Sequence, residues 1–98
     1  MQFLVLGYDG KDEGAIDRRM AVREAHLALG DTMRSAGQML YAAAMLTEEG
    51  VMCGSMIVLD VASRAAVDEW LAKEPYVTGK VWERIEVMPC KVGPSFQR

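Results

Sequence analysis

The chain has 98 residues, of which 51% are hydrophobic and 26% are charged. This balance predicts a single packed domain spanning residues 1–98 and argues against a disordered or fibrous chain. The net charge of −3, with no run of basic residues, also argues against nucleic acid as a partner.

No apolar run approaches the ~20 residues that a membrane helix needs, so no membrane partner is expected. The first residues carry neither the positive segment nor the cleavage site of a secretory signal, which predicts a cytoplasmic protein. Cys53 and Cys90 lack a Cys-x-x-Cys spacing, and the chain has one histidine to join them. We therefore expect no metal and no cofactor, and we interpret both cysteines as structural or incidental thiols.

The first third of the chain predicts a strand followed by a long helix. Residues 3–8 are β-prone and end at a glycine-rich polar stretch, whereas from residue 15 to residue 36 the apolar spacing is helical. Gly37 follows where a left-handed cap is expected. The apolar stripe of this helix runs through Val22, His26, Leu29 and Met33.

The middle of the chain predicts a β-hairpin, with strands at residues 39–46 and 55–61 around a turn at 47–50. The three alanines at 42–44 prefer helix by intrinsic propensity. The strand there consequently depends on tertiary packing overriding a local preference.

The last third predicts a short helix and a final strand. Asp60 or Ser63 can cap the helix, and Pro75 is expected to stop it. Residues 81–87 then alternate in the way a strand does, and the tail from Pro89 is predicted to be loop.

This order of elements predicts an α+β domain of ferredoxin-like βαββαβ topology. Its four strands form one antiparallel sheet with both helices on one face. A chain of this length has nothing left to cover the other face of the sheet. We therefore expect a homodimer in which a second copy covers that open face.

Several short segments, in order along nearly the whole chain, resemble the YciI-like (YCII-related) family. They are Arg23-Glu24-Ala25-His26-Leu27, Ala36-Gly37, Gly54-Ser55, Glu74-Pro75-Tyr76-Val77 and Val81-Trp82-Glu83. The resemblance implies a dimeric α+β barrel and an active site in which a helix histidine meets an acidic residue before a proline. Most members have no assigned reaction, and one subgroup acts as a dehydrochlorinase on a chlorinated hydroxyhydroquinone. This chain has Glu74-Pro75 where the family usually has Asp-Pro.

The candidate catalytic residues are His26 and Glu74. His26 lies near the middle of the helical stripe, and histidine is the side chain best suited to exchange protons near neutral pH. Glu74 could orient its ring and stabilise the protonated form. The alternatives are a buried histidine bonded to a backbone carbonyl and a solvated glutamate at a helix end.

The candidate substrate-binding residues are Arg23 and Ser55. Arg23 lies beside His26 on the helix and could hold a carboxylate or phenolate with its planar fork. Ser55 could offer a hydroxyl to a ligand, although no base is assigned to it as a nucleophile. A surface ion pair for Arg23 and a strand-edge hydrogen bond for Ser55 remain the alternatives.

Two functions are consistent with these residues. One is a small-molecule enzyme that performs elimination or isomerisation beside a carbonyl, and the other is a non-catalytic module that holds a small ligand or a protein partner. A contact between His26 and Glu74 that opens into a concave pocket favours the enzyme, whereas a sealed His26 favours the module. An RNA-binding sheet is disfavoured because its stacking aromatics and positive charge are missing.

Overall fold

The computed structural model describes residues 1–97, and its elements follow the predicted order with one addition, a short third helix. The strands are β1 (Gln2–Asp9), β2 (Met39–Leu46), β3 (Met52–Asp60) and β4 (Trp82–Cys90). The helices are α1 (Ala15–Ser35), α2 (Arg64–Lys73) and α3 (Pro75–Thr78), followed by a 3₁₀ turn at Pro94–Phe96.

The four strands form one sheet in the order β2-β3-β1-β4, and every neighbouring pair is antiparallel. This arrangement is the ferredoxin-like fold, so the predicted fold is confirmed. The alanines of β2 join the ladder with β3, where Ala43 lies opposite Met56. Pairing with β3 therefore overrides their preference for helix.

Along β1, buried and half-buried residues alternate strictly, as a strand with one covered face requires. The covered face carries Phe3 and Val5, which join Ile57 and Leu59 of β3 in the core beneath the helices. Trp70 of α2 closes this core and is 2% exposed. Burying each such side chain contributes about 1.5–3 kcal/mol, which fixes the helices on this one face.

The end of α1 is set by Gly37, as predicted. Its φ of +75° is the left-handed conformation that glycine adopts without strain. Its N–H donates to the carbonyl of Arg34 at 3.0 Å, and the next N–H, of Gln38, donates to that of Met33 at 2.8 Å. These two bonds satisfy carbonyls left open at the helix end and turn the chain into β2.

Three predicted boundaries were wrong. β3 begins at Met52 rather than residue 55, because the turn closes where the N–H of Thr47 bonds the carbonyl of Val51 at 2.8 Å. Pro75 ends α2 but also opens α3, since a proline at the first helical position gives up no hydrogen bond. β4 continues through Pro89 to Cys90, because an edge strand tolerates a residue without an N–H.

Of the two predicted caps for α2, the structure uses Ser63. Its hydroxyl accepts a hydrogen bond from the N–H of Ala66 at 3.2 Å. Asp60 instead lies at the end of β3, 3.6 Å from the N-terminal amine. Within residues 1–97, none of the helices has the length and apolar character needed to cross a lipid bilayer.

Candidate active site

Glu74 lies at the joint between α2 and α3, where it ends one helix and caps the next. A residue before proline is pushed into an extended conformation, and Glu74 has φ −66° and ψ 123°. This turn directs its side chain inward, so that the residue is 0% exposed. The Oε1 atom accepts a hydrogen bond from the N–H of Tyr76 at 3.1 Å.

His26 projects from α1 towards the same carboxylate, and its Nδ1 is hydrogen-bonded to Glu74 Oε1. The structure thus brings the two predicted catalytic side chains together. An ionised carboxylate accepts hydrogen bonds and cannot donate them, so beside an ionised Glu74 the neutral ring carries its proton on Nδ1. The lone pair of His26 is consequently on Nε2.

Aromatic side chains hold the imidazole in place. The Tyr76 ring stacks on the His26 ring, with centroids 3.8 Å apart and planes inclined by 11°. The rings of Trp82 and His26 pack edge to face, with centroids 6.3 Å apart. A Cβ at Gly7 would overlap the Trp82 indole, so the glycine on β1 is what lets Trp82 pack here. Burial raises the pKa of Tyr76, which keeps its phenol neutral at physiological pH.

A second buried network lies beside this pair. Arg19 of α1, 2% exposed, donates through Nη1 to both carboxylate oxygens of Asp9, at 2.9 and 3.0 Å. Its Nη2 donates to the Ser55 hydroxyl at 3.0 Å, and Trp82 Nε1 donates to the same oxygen at 3.3 Å. The two lone pairs of that oxygen are therefore occupied, so Ser55 can offer a ligand only its own O–H.

These groups surround a cavity of about 130 Å³, which we call the His26 cavity. Its polar lining comes from Arg19, Arg23, His26, Ser55 and Tyr76. Glu74 does not line the cavity itself and contacts it through its hydrogen bond to His26 Nδ1. Arg19 is buried and paired with Asp9, whereas Arg23 is exposed, so the cavity presents its positive charge through Arg23.

The predicted residues His26, Arg23 and Ser55 share this one cavity, and Glu74 contacts it through His26. The sequence identified neither Asp9 nor Arg19 as a site residue. Asp9 ends a strand and Arg19 lies two helical turns before His26, and no local pattern joins them. Their pairing depends on how α1 crosses β1.

The two cysteines do not line this site. Cys53 is exposed, Cys90 is half-buried, and both are free thiols outside the His26 cavity. Within the part of the chain that the structure describes, no three His, Cys, Asp or Glu side chains cluster closely enough to hold a metal ion.

The amino-acid sequence is similar to those of several known proteins. Residues 1–91 match the YCII-related domain. Protein YciI of Escherichia coli O6:H1 is 29% identical over 97 residues, which cover 93% of this chain and 97% of that protein. An uncharacterized protein of Haemophilus influenzae is 30% identical over 82 residues, covering 78% of this chain and 84% of its own length.

Two solved structures share the fold. One is 5-chloro-2-hydroxyhydroquinone dehydrochlorinase from Burkholderia phenoliruptrix AC1100 in complex with 2,5-dihydroxybenzoquinone, with a TM-score of 0.82 and 21% identity over 97% of this chain and 98% of that one. The other is a dimeric ferredoxin-like protein from Jannaschia sp. CCS1, with a TM-score of 0.51 and 15% identity over 93% and 98%. At these identities the likeness establishes the fold alone.

Proposed function

This chain belongs to the YCII-related domain family, and from that membership we propose that it is a small-molecule enzyme with a His26–Glu74 dyad. His26 acts as general base and acid on a small oxygenated or carboxylated substrate. The observation that carries the proposal is the His26 ring itself, whose Nδ1 is bonded to a buried carboxylate while the ring lines a cavity. That arrangement leaves Nε2 free to exchange protons with a ligand.

Each polar group around the cavity has a part in this proposal. Glu74 orients the imidazole and stabilises the imidazolium that forms when Nε2 has taken a proton. Arg23 binds the anionic group of the substrate with its planar fork. Ser55 donates its O–H to a substrate oxygen, since its own lone pairs are already occupied.

An elimination of the lyase type suits this set of groups. When a chlorinated hydroxyhydroquinone loses HCl, one hydroxyl proton moves to the carbon that bears chlorine, a second is removed by a base, and chloride leaves. Breaking the C–Cl bond balances the oxidation of the ring to a quinone, so the step needs no external oxidant. His26 Nε2 supplies the base, and Arg23 stabilises the phenolate that develops.

The function is tested by turnover and by binding. Chloride release and quinone absorbance are followed with 5-chloro-2-hydroxyhydroquinone and related hydroxylated rings, and a thermal-shift screen covers small phenols and carboxylates. We expect chloride release with at least one ring and stabilisation by its product. Stabilisation without turnover of any compound would favour a non-catalytic binding module, and no response from the whole set would overturn the proposal.

The dyad makes a prediction that needs no substrate, because His26 is the only histidine in the chain. In ¹⁵N NMR spectra of the neutral imidazole we expect one tautomer, protonated at Nδ1 and bare at Nε2. Glu74→Ala removes the acceptor, so the ring should no longer be fixed in that tautomer. Glu69→Ala, an exposed acid on α2, is the matched control and should leave the spectrum unchanged. A ring protonated at Nε2 in the unchanged protein would contradict the assignment.

We also propose that the protein forms a homodimer through the open face of its sheet. Half-buried apolar side chains on that face alternate with the core residues, among them Leu4, Leu6, Met56 and Val58. They lie in mutual register across β1 and β3, with Leu4 opposite Val58 and Leu6 opposite Met56. A contiguous apolar face of this kind is typical of a surface that a second copy covers.

Val58→Glu tests the dimer, because it places a charge in the middle of this face. We expect the dimer dissociation constant to rise about a hundredfold or more, since the interface would have to bury an unpaired carboxylate. Light scattering coupled to gel filtration measures the mass. Ala65→Glu on the exposed side of α2 should not change it. A monomeric unchanged protein, or a Val58→Glu variant that remains dimeric, would refute this interface.

A further inference from the structure

The His26 cavity is small for a binding site. Its volume of about 130 Å³ lies well below the roughly 300–1,000 Å³ of ordinary ligand pockets. A second cavity of about 320 Å³ lies between the C-terminal half of α1 and β2. His26, Leu27 and Ala42 line both cavities, so the two adjoin at the proposed catalytic ring.

The second cavity, which we call the Gly30 groove, is lined by covered apolar residues and by exposed charged ones. The half-buried Gly30 and the buried Met39 belong to the first group, and Asp31 and Arg34 of α1 belong to the second. Within residues 1–97, neither of those two side chains takes part in an ion pair or a side-chain hydrogen bond. One positive and one negative charge leave the groove without net charge. Its lining therefore favours the uncharged part of a ligand over an additional ionic group.

Gly30 lines this groove without a side chain. It lies inside α1, where glycine costs about 1 kcal/mol relative to alanine, and its backbone does not adopt the left-handed conformation that would require glycine. A Cβ placed there would lie 3.6 Å from Met39 Sδ, an ordinary contact that blocks nothing. A longer side chain at this position would extend into the space between the helix and β2.

We propose that the Gly30 groove is the second half of the substrate site and holds the apolar body of a ligand whose acidic group reaches His26 and Arg23. The inference rests on the proposed function and names its substrate class: a carboxylic acid or phenol that carries an extended aromatic or acyl body. The shared residues make the two cavities one cleft. Together their volumes fall within the range of ordinary ligand pockets.

The experiment compares a short and a long acid. Binding of benzoate and of 4-phenylbutyrate is measured by titration calorimetry on the unchanged protein, on Gly30→Leu and on Ala28→Leu. Ala28 is exposed on the same helix and lines neither cavity, so Ala28→Leu controls for added bulk on this helix. We expect the unchanged protein and the control to bind 4-phenylbutyrate about tenfold more tightly than benzoate.

In Gly30→Leu we expect 4-phenylbutyrate to lose that tenfold advantage, whereas the affinity for benzoate stays the same. A second measurement needs no variant: 4-phenylbutyrate, and not benzoate, should shift the methyl resonance of Met39, which lines the groove. Equal affinity for the two acids, or an unchanged preference in Gly30→Leu, overturns the groove and leaves the His26 site standing. If neither acid binds, the groove proposal is overturned, whereas the proposed function is decided by the chloride-release and thermal-shift measurements.

Discussion

Replacing Asp9 by alanine is expected to lower the free energy of unfolding by about 3–5 kcal/mol, the largest loss of stability that a single polar change should cause here. Arg19 is 2% exposed, and among residues 1–97 Asp9 is its one charged partner, reached through two hydrogen bonds. Without that carboxylate the folded state would bury a positive charge whose remaining contacts are the uncharged Ser55 hydroxyl and the face of the Tyr76 ring. Urea unfolding followed by circular dichroism measures the change.

Two variants test the cause of this loss. Arg64→Ala breaks an exposed ion pair with Asp68, whose side chains are 55% and 59% accessible, and should cost less than about 1 kcal/mol. The double variant Asp9→Ala/Arg19→Met removes the buried charge as well as its partner, so it should be more stable than Asp9→Ala alone. If Asp9→Ala unfolded within about 1 kcal/mol of the unchanged protein, the network would not stabilise the fold in this way.

Replacing His26 by glutamine is expected to lower kcat/KM for the identified substrate by about 10²–10⁴-fold, the range that a positioned general base contributes. The glutamine amide can still donate a hydrogen bond to Glu74, so the buried carboxylate keeps a partner and the fold should be retained. It cannot take up a proton, so the chemical step should fail while ligand binding largely persists. Steady-state kinetics and calorimetry with the same compound separate the two effects.

Glu24→Gln, an exposed change on the same helix, should leave kcat/KM within about twofold and serves as the control. A His26→Gln variant that retained full turnover would show that the imidazole does not transfer the proton. A variant that lost binding and turnover in equal proportion would make His26 a ligand-binding residue instead.

The elements of this fold were readable from local patterns, because the repeat of apolar residues along the chain reports which face of each element is covered. The helical spacing through Val22 and Leu29 predicted α1, and Gly37 marked its end because that position needs a positive φ. The ends of these elements were harder to predict from the sequence. Pro89 looked like the start of a loop, since only the sheet order shows that β4 is an edge strand that accommodates proline.

For the candidate site, the sequence by itself determined the residue types: one histidine on the covered side of a long helix, an acid fixed before a proline, and an arginine one turn from the histidine. Only the tertiary structure decided that Glu74 reaches His26, that Asp9 and Arg19 pair beside Ser55, and that a groove lies between Gly30 and β2. The physical reason is the distance along the chain over which each effect acts. Propensity and periodicity act over a few residues, whereas a buried ion pair or a cavity depends on how distant segments cross after the core has packed.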